Sequence, residues 1–201
     1  YIFYIFGLKF KLKNNYVNSY LENNKKIWPF KKNQNKNQEI IVTGFVHLPG
    51  DQIPNCIIGK YLELYYDVNL SGFLDKGDIF GELIFKSFGI KKIYRLSSGN
   101  IFKKFINFLH AIIIIHKVKD VDEFLNIRFH NINIGKSTYD HFLRFTNNAT
   151  AAKASFKIVL FLSECLNIIK NLDKGFKKSN IKAVVETETQ FIPSSLIFQY
   201  F

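Results

Sequence analysis

The chain has 201 residues, of which 47% are hydrophobic, 22% charged and 16% aromatic. With only 11 glycines and 4 prolines, this composition is sufficient for a buried core and excludes a disordered tail, a collagen-like repeat and a low-complexity linker. Cys56 and Cys165 are too few for a disulfide framework, and neither belongs to a Cys-x-x-Cys pair, which favours a reducing compartment. Because the sequence contains no methionine and begins at Tyr1, we expect a fragment or a processed chain.

The net charge of +12 is concentrated near the N terminus. Residues 1 to 39 hold eight lysines against two glutamates, which is half of the excess charge. The rest of the chain is mildly basic, and nucleic-acid binding needs a clustered basic face, so we predict no nucleic-acid partner. We predict a cytoplasmic protein. The aromatic residues beside lysines in residues 1 to 13 favour a further hypothesis, peripheral contact with the inner face of the membrane.

The first 38 residues are predicted to be a basic, Asn- and Lys-rich extension or linker. Tyr1 to Phe6 is a short apolar run, interpreted as a strand or as the end of an upstream element. Residues 14 to 39 show no sustained period of 2 or 3.6, which is typical of a linker or loop. A single domain is therefore assigned to residues 39 to 201.

Strand and helix patterns alternate from residue 39 onwards. Ile40 to Val46 is rich in β-branched residues and is predicted to be a buried strand. Turn residues follow at 47 to 51, and then a helix begins. Six apolar or aromatic residues share one face of this helix: Pro54, Ile57, Ile58, Tyr61, Leu62 and Tyr65.

The later elements continue this alternation. Strands are predicted at 68–74, 90–96 and 181–185, and helices at 79–88, 101–115, 120–129, 137–145 and 151–172. The apolar run from Phe105 to Ile115 is too short to span a membrane, and we predict a buried element there. This order predicts an α/β fold, a Rossmann-like three-layer domain with a mainly parallel sheet.

Ligands of open parallel sheets bind outside the carboxyl ends of the strands, next to helix N termini. Three loops are predicted to have this position, at residues 44–51, 97–100 and 186–194. In the first loop, Gly44 and Gly50 allow backbone amides to approach an anion or a sugar, although such glycines are also typical of a tight turn. His47, in the same loop, is the histidine best placed for chemistry. The five histidines lack the i, i+3 or i, i+4 spacing of a metal site, so we predict no metal.

Two carboxylates follow the last predicted strand. Glu186 and Glu188 are two residues apart, so in an extended segment they point to the same side. This arrangement suits general-base chemistry or the binding of sugar hydroxyls. A solvated strand end is the alternative interpretation.

The most distinctive segment comprises residues 132 to 144. Lys136, Asp140 and Arg144 recur every four residues and share one helical face, with Tyr139 on the opposite, apolar face. Asp140 and Arg144 are predicted to form an i, i+4 ion pair, worth about 0.3 to 0.5 kcal/mol if it is exposed.

The same segment resembles a known family. Ile134-Gly135, Tyr139-Asp140 and Leu143-Arg144 resemble a segment of bacterial capsular and surface polysaccharide biosynthesis proteins. The resemblance extends to Val184–Pro193 and covers roughly residues 39 to 201. It implies a glycosyltransferase with two Rossmann-like domains, of the GT-B kind. This chain would be its N-terminal, acceptor-side domain, and the nucleotide-sugar domain would be absent.

The resemblance also implies a reaction and a set of site residues. A sugar would pass from a nucleotide-sugar donor to a glycan or lipid-linked glycan acceptor, without a cofactor in this fragment, which by itself is expected to be inactive. Catalytic roles are assigned to Asp140, Glu188 and His47. Substrate contacts are assigned to six further residues: Gly44, Gly50, Tyr139, Arg144, Glu186 and Gln190. The alternative is a non-catalytic α/β module that binds a glycan or a partner.

Overall fold

The structure, a computed structural model, describes residues 2–5, 8–11, 15–28, 35–97, 99–146 and 155–201. The strands are β1 (Ile2–Ile5), β2 (Leu8–Lys11), β3 (Asn35–Thr43), β4 (Val68–Asp75), β5 (Lys92–Leu96), β6 (Arg128–Phe129), β7 (Ile132–Asn133) and β8 (Ile181–Val185). The helices are α1 (Asn15–Ile27), α2 (Pro49–Tyr66), α3 (Ile79–Ser87), α4 (Ile101–Lys117), α5 (Val121–Leu125), α6 (Ile134–Thr146), α7 (Phe156–Phe176) and α8 (Ser194–Tyr200).

Four strands form one parallel sheet in the order β5-β4-β3-β8. Successive residues of β3 point to opposite faces of this sheet. Ile40 and Val42 pack in a core cluster with residues of α2 and α3, whereas Ile41 packs in a second cluster with residues of α7. Helices therefore cover both faces, and the prediction of a Rossmann-like three-layer domain with a mainly parallel sheet is confirmed. Two short antiparallel hairpins, β1–β2 and β6–β7, form separate sheets.

Helix α2 turns polar and small side chains to the sheet. Six of its residues are buried: Gln52, Asn55, Cys56, Gly59, Lys60 and Glu63. Gly59 explains this orientation, because a Cβ there would overlap the side chain of Val42 and crowd that of Leu70. The helix thus approaches the sheet closely at a position without a side chain. The residues of the predicted apolar face are exposed apart from one, Leu62, which is half-buried.

Helix α4 contradicts the prediction of a buried element at 105–115. Within α4 only Asn107 and Ala111 are buried, and most of the large apolar side chains are exposed. The buried side is organised by polar contacts with α7. Asn107 donates to Asn167 (Nδ2–Oδ1 2.5 Å) and accepts from Lys170 (Nζ–Oδ1 2.5 Å). Because this network fixes which side of α4 faces α7, the apolar residues are left on the outside.

Residues 14 to 39 contain an ordered helix, although the sequence predicts a linker there. On α1, Leu21 and Asn24 are buried, and Asn24 donates to the hydroxyl of Ser87 on α3 (Nδ2–Oγ 2.8 Å). The ring of Trp28, just after α1, lies 6.1 Å from that of Phe88 between centroids. The linker prediction is therefore wrong for Asn15–Ile27, where few apolar residues mark the packed face.

Other predictions differ at their boundaries. The helix predicted at 120–129 covers only Val121–Leu125, after which the chain enters the β6–β7 hairpin. The helix predicted from residue 151 begins at Phe156 in the structure, and residues 151–154 lie outside the described residues. Ser98 in the predicted 97–100 loop, and Tyr1 and Phe6 of the opening run, also lie outside them.

Candidate functional site

The carboxyl ends of the four parallel strands meet at one edge of the sheet, and the candidate site lies there. From β3 the sheet grows through β4 to β5 on one side, while β8 adds on the other side of β3. Strands β3 and β8 therefore border the point at which the strand order reverses, which is where doubly wound sheets bind ligands. The three predicted loops directly follow β3, β5 and β8, so all of them lie at this edge.

Glu186, the first residue after β8, has unusual electrostatics. Burial raises its pKa from 4.5 to about 7, although the Thr43 side chain and the backbone N–H groups of Glu188 and Thr187 act to lower it. Its Oε1 accepts from the N–H of Glu188 at 3.4 Å, and its Oε2 is buried with no hydrogen-bond partner in the described part of the chain. A carboxyl group that titrates near neutrality is suited to accept or donate a proton during a reaction.

Buried polar side chains of α2 lie beside this carboxyl group. Asn55 donates to the backbone carbonyl of Thr43 at 3.2 Å and to the hydroxyl of Thr187 at 3.4 Å, which connects the ends of β3 and β8. Oδ1 of Asn55 and Oε1 of Gln52 are buried and have no partner among the described residues. Unpaired buried oxygens are uncommon and costly. Together with Oε2 of Glu186, three buried acceptor oxygens at this edge lack a partner in the described part of the chain.

His47 is held between two carboxylates at the end of β4. Its Nε2 lies 2.8 Å from Oδ2 of Asp75, and its Nδ1 lies 3.3 Å from Oδ2 of Asp78. Asp78 is itself fixed, because it accepts from Gln52 (Nε2–Oδ2 2.7 Å) and from the N–H of Gly81 at the start of α3. His47 has φ = 57°, in the left-handed region that residues other than glycine rarely adopt.

A cleft of about 910 Å³ lies between α4 and α7, next to the His47 contacts. We call it the α4–α7 cleft. Its apolar walls include Phe105, Phe108, Phe156 and Leu160, and its polar lining includes Asp75, Ser97, Lys104, Ser163, Glu164, Asn167 and Asn171. Burial and the charge of Asp75 raise the pKa of Glu164, while Lys104 lowers it. The volume and the mixed lining are those of a small-molecule site.

The two glycines predicted to contact substrate have different environments. Gly44 is buried, its N–H donates to the carbonyl of Phe73 at 3.1 Å, and its carbonyl accepts from Gln52 at 3.0 Å. Its backbone groups are therefore already used within the fold. Gly50 is exposed in the first turn of α2, with open space where a Cβ would be.

The structure brings part of α6 to the loop after β8. The guanidinium Cζ of Arg144 lies 4.1 Å from the ring centroid of Phe191, a cation–π contact. In the same loop, Glu188 accepts from the N–H of Gln190 (N–Oε1 2.6 Å). Arg144 thus lies beside the loop that contains Glu188 and Gln190, and the substrate and catalytic roles of these three residues stay predictions.

Asp140 and Tyr139 have other neighbours. Asp140 pairs with Lys136 (Nζ–Oδ2 3.0 Å) while Arg144 stacks on the loop after β8, so the predicted Asp140–Arg144 ion pair is wrong. The ring of Tyr139 lies 6.4 Å from that of Phe124 on α5. Within the described ranges, no hydrogen bond or ion pair joins Asp140 to Glu186 or His47. Its catalytic role stays a prediction.

Sequence reasoning missed the residues that complete the site. These are Thr43, Gln52, Asn55, Asp75 and Asp78. Asp75 and Asp78 come at the end of the strand predicted at 68–74 and just after it, but no site role is predicted for either residue. Gln52 and Asn55 are three residues apart in the first turns of a helix that follows a strand. The strand-end rule that selected His47 applies equally to all four of these residues.

Among the described residues, no group of three or more His, Cys, Asp and Glu side chains is arranged to hold a metal ion. No helix in the part of the chain that the structure describes is long and apolar enough to cross a membrane. Comparisons of the chain with known protein families, with curated proteins and with solved structures found no match.

Proposed function

We propose that this chain is the acceptor-side domain of a glycosyltransferase of surface polysaccharide biosynthesis. The observation that supports the proposal most is Glu186, a carboxyl group with a pKa of about 7 at the point where the strand order reverses. Buried acceptor oxygens of Glu186, Asn55 and Gln52 have no partner among the described residues, and a sugar that reaches them would supply hydroxyl donors. The resemblance of residues 134 to 144 supplies the reaction class.

In the proposed reaction, an acceptor hydroxyl donates its hydrogen bond to the Glu186 carboxylate. Glu186 takes the proton as the hydroxyl oxygen attacks the anomeric carbon of the donor sugar, and the nucleoside diphosphate leaves with the electrons of the broken C–O bond. Asn55 Oδ1 accepts from a second hydroxyl and orients the acceptor. Since the base acts only when it is ionised, we expect kcat/KM to fall as pH decreases below about 7.

The test compares three variants of the protein that contains this chain and its donor-binding domain, with radiolabelled nucleotide sugars as donors. Glu186→Gln keeps the shape of the side chain and removes the base, so we expect the transfer rate to drop about 10²- to 10⁴-fold. Glu188→Gln, two residues away, tests the catalytic role that the resemblance assigns to Glu188, and a loss as large as that of Glu186→Gln would show that both carboxylates act in the reaction. Asp140→Asn tests the role that the resemblance assigns to Asp140. Transfer by Glu186→Gln at the wild-type rate would contradict the role of Glu186.

The second candidate function is non-catalytic glycan binding, and the α4–α7 cleft favours it. Aromatic side chains such as Phe108 line this cleft together with Asn167 and Glu164, a combination that binds the apolar face and the hydroxyls of a sugar. Titration of the chain with oligosaccharides, followed by NMR, separates the two functions. Binding that is lost in Phe108→Ala and kept in Glu186→Gln, without any transfer activity, would favour the binding module.

A further inference from the structure

Seven large apolar side chains are exposed along the outer side of α4. Their exposed fractions lie between 41% and 85%, and they are Ile101, Phe102, Phe105, Ile106, Leu109, Ile112 and Ile113. We call this surface the α4 face. It runs along almost the whole helix, and contiguous apolar surfaces of this extent mark interaction sites on soluble domains.

Helix α7 widens the α4 face. Phe156 and Leu160, near the start of α7, are exposed by 66% and 44% and line the same cleft as Phe105. The inner side of α4 is already occupied, because Asn107 and Ala111 are buried. The α4 face therefore belongs to a packed helix pair with a fixed orientation, and its exposure does not result from an undocked helix.

The charge around the α4 face identifies its partner. Helix α4 contains Lys103, Lys104 and Lys117 and no Asp or Glu, and Lys157 follows Phe156 in the first turn of α7. Two carboxylates, Asp75 and Glu164, line the adjoining cleft together with Lys104, so the lysines at this surface exceed the carboxylates by four to two. All four lysines are exposed. An apolar surface edged by lysines is complementary to a bilayer with anionic headgroups. A second copy of the chain would place like charges opposite each other, which opposes association through this surface.

We propose that the α4 face docks on the surface of an anionic phospholipid bilayer. The apolar side chains enter the boundary between headgroups and acyl chains, and the lysines contact lipid phosphates. This site differs from the membrane contact that the sequence predicts for residues 1 to 13. It does not depend on the proposed sugar transfer, since docking is measured without donor or acceptor.

The experiment is flotation of the 201-residue chain with two kinds of vesicle, pure phosphatidylcholine and phosphatidylcholine with 30% phosphatidylglycerol. We expect binding to the anionic vesicles and at least tenfold weaker binding to the neutral ones. Ile106→Ser combined with Ile113→Ser should reduce partitioning at least tenfold. The matched control is Ile58→Ser with Leu64→Ser on α2, because these side chains are similarly exposed (48% each, against 45% and 53%) and lack exposed lysines on their helix. This control should leave partitioning unchanged.

A second pair of variants tests the position of the charge. Lys103→Gln with Lys117→Gln should weaken binding to anionic vesicles about 20- to 30-fold, because each lysine near an anionic surface contributes about a factor of five. Lys177→Gln with Lys178→Gln after α7 removes the same net charge and should have a much smaller effect. A triple Gln variant of Lys9, Lys11 and Lys13 tests the N-terminal segment.

Several results would overturn the proposal. They are the absence of binding to anionic vesicles, equal binding to neutral ones, equal losses in the α2 and α4 variants, or a loss confined to the N-terminal triple variant. Light scattering gives a further decisive result. If the wild type is a dimer that ignores vesicles and the α4 variant is a monomer, the α4 face binds a second copy instead. Circular dichroism confirms that every variant is folded.

Discussion

Replacing Glu186 by glutamine should change how the stability of the fold depends on pH. The pKa of Glu186 is raised from 4.5 to about 7 in the folded chain, because burial penalises the ionised form. Between these two pH values the folded state holds a proton that the unfolded state has released. The contribution of Glu186 to the stability of the folded state is therefore complete below about pH 4.5, and it is lost as the pH rises through about 7.

The magnitude follows from the size of the shift. One pKa unit corresponds to about 1.4 kcal/mol, so ionising Glu186 in the folded chain costs about 3 kcal/mol above pH 7. Glutamine has nearly the same shape and does not ionise. The difference in unfolding free energy between Glu186→Gln and the wild type should therefore increase by about 3 kcal/mol from pH 4.5 to pH 8. Any pH-independent effect of the amide on stability is the same at pH 4.5 and at pH 8, so it does not affect this change.

The assay is urea denaturation at several pH values, followed by circular dichroism and by the fluorescence of Trp28, the single tryptophan. Glu188→Gln is the control. The charge of Glu188 is a smaller cause of the raised pKa of Glu186 than burial is, so this variant should keep most of the wild-type pH dependence of stability. A pH-independent difference between the wild type and Glu186→Gln would refute the reasoning. A variant that is more stable at pH 8 and inactive in sugar transfer would show that the fold carries this carboxyl group for function.

Three further predictions concern stability, measured by the same denaturation. Gly135→Ala should destabilise the fold by about 1 to 3 kcal/mol because its Cβ would overlap a backbone carbonyl of α5, whereas Gly50→Ala, in open space, should be neutral or stabilising by up to about 1 kcal/mol. Lys60→Met should cost about 3 to 5 kcal/mol because it leaves Glu63 buried without its ion-pair partner, and adding Glu63→Leu should restore most of the loss. His47→Gly should be about 1 kcal/mol more stable than His47→Ala, since both lose the imidazole contacts and only glycine relieves the left-handed backbone. Equal stabilities within any of these pairs would contradict the corresponding argument.

The sequence predicted the elements of the sheet better than the faces of the helices. The strand at 181–185 has the predicted boundaries, and the run at 68–74 differs by one residue, because β-branched and apolar runs bounded by turn residues are local signals. Helix α2 was also predicted. The side of α2 that is buried was predicted wrongly. Gly59 lets the polar side of the helix approach the sheet, and this contact involves strands that the helical pattern does not reveal.

The candidate site shows the same division. Loop position after a strand selected His47, Glu186 and Glu188 as candidates from the sequence alone. Spacing could not identify Glu186 as the carboxyl group with the raised pKa, because desolvation depends on what surrounds a side chain in three dimensions. For Asp140, the predicted helix is correct and the predicted ion-pair partner is wrong. The carboxylate pairs with Lys136 on the same helix and not with Arg144.

The amino-acid sequence by itself determined the α/β class, the alternation of elements and the edge of the sheet at which ligands are expected. These features depend on local periodicity and on turn residues, which any short window of the chain contains. Only the tertiary structure decided which carboxyl group is desolvated, that His47 lies between Asp75 and Asp78, and that α4 exposes its apolar side. Each of these depends on contacts between residues far apart in the chain, and burial, charge and packing act through those contacts.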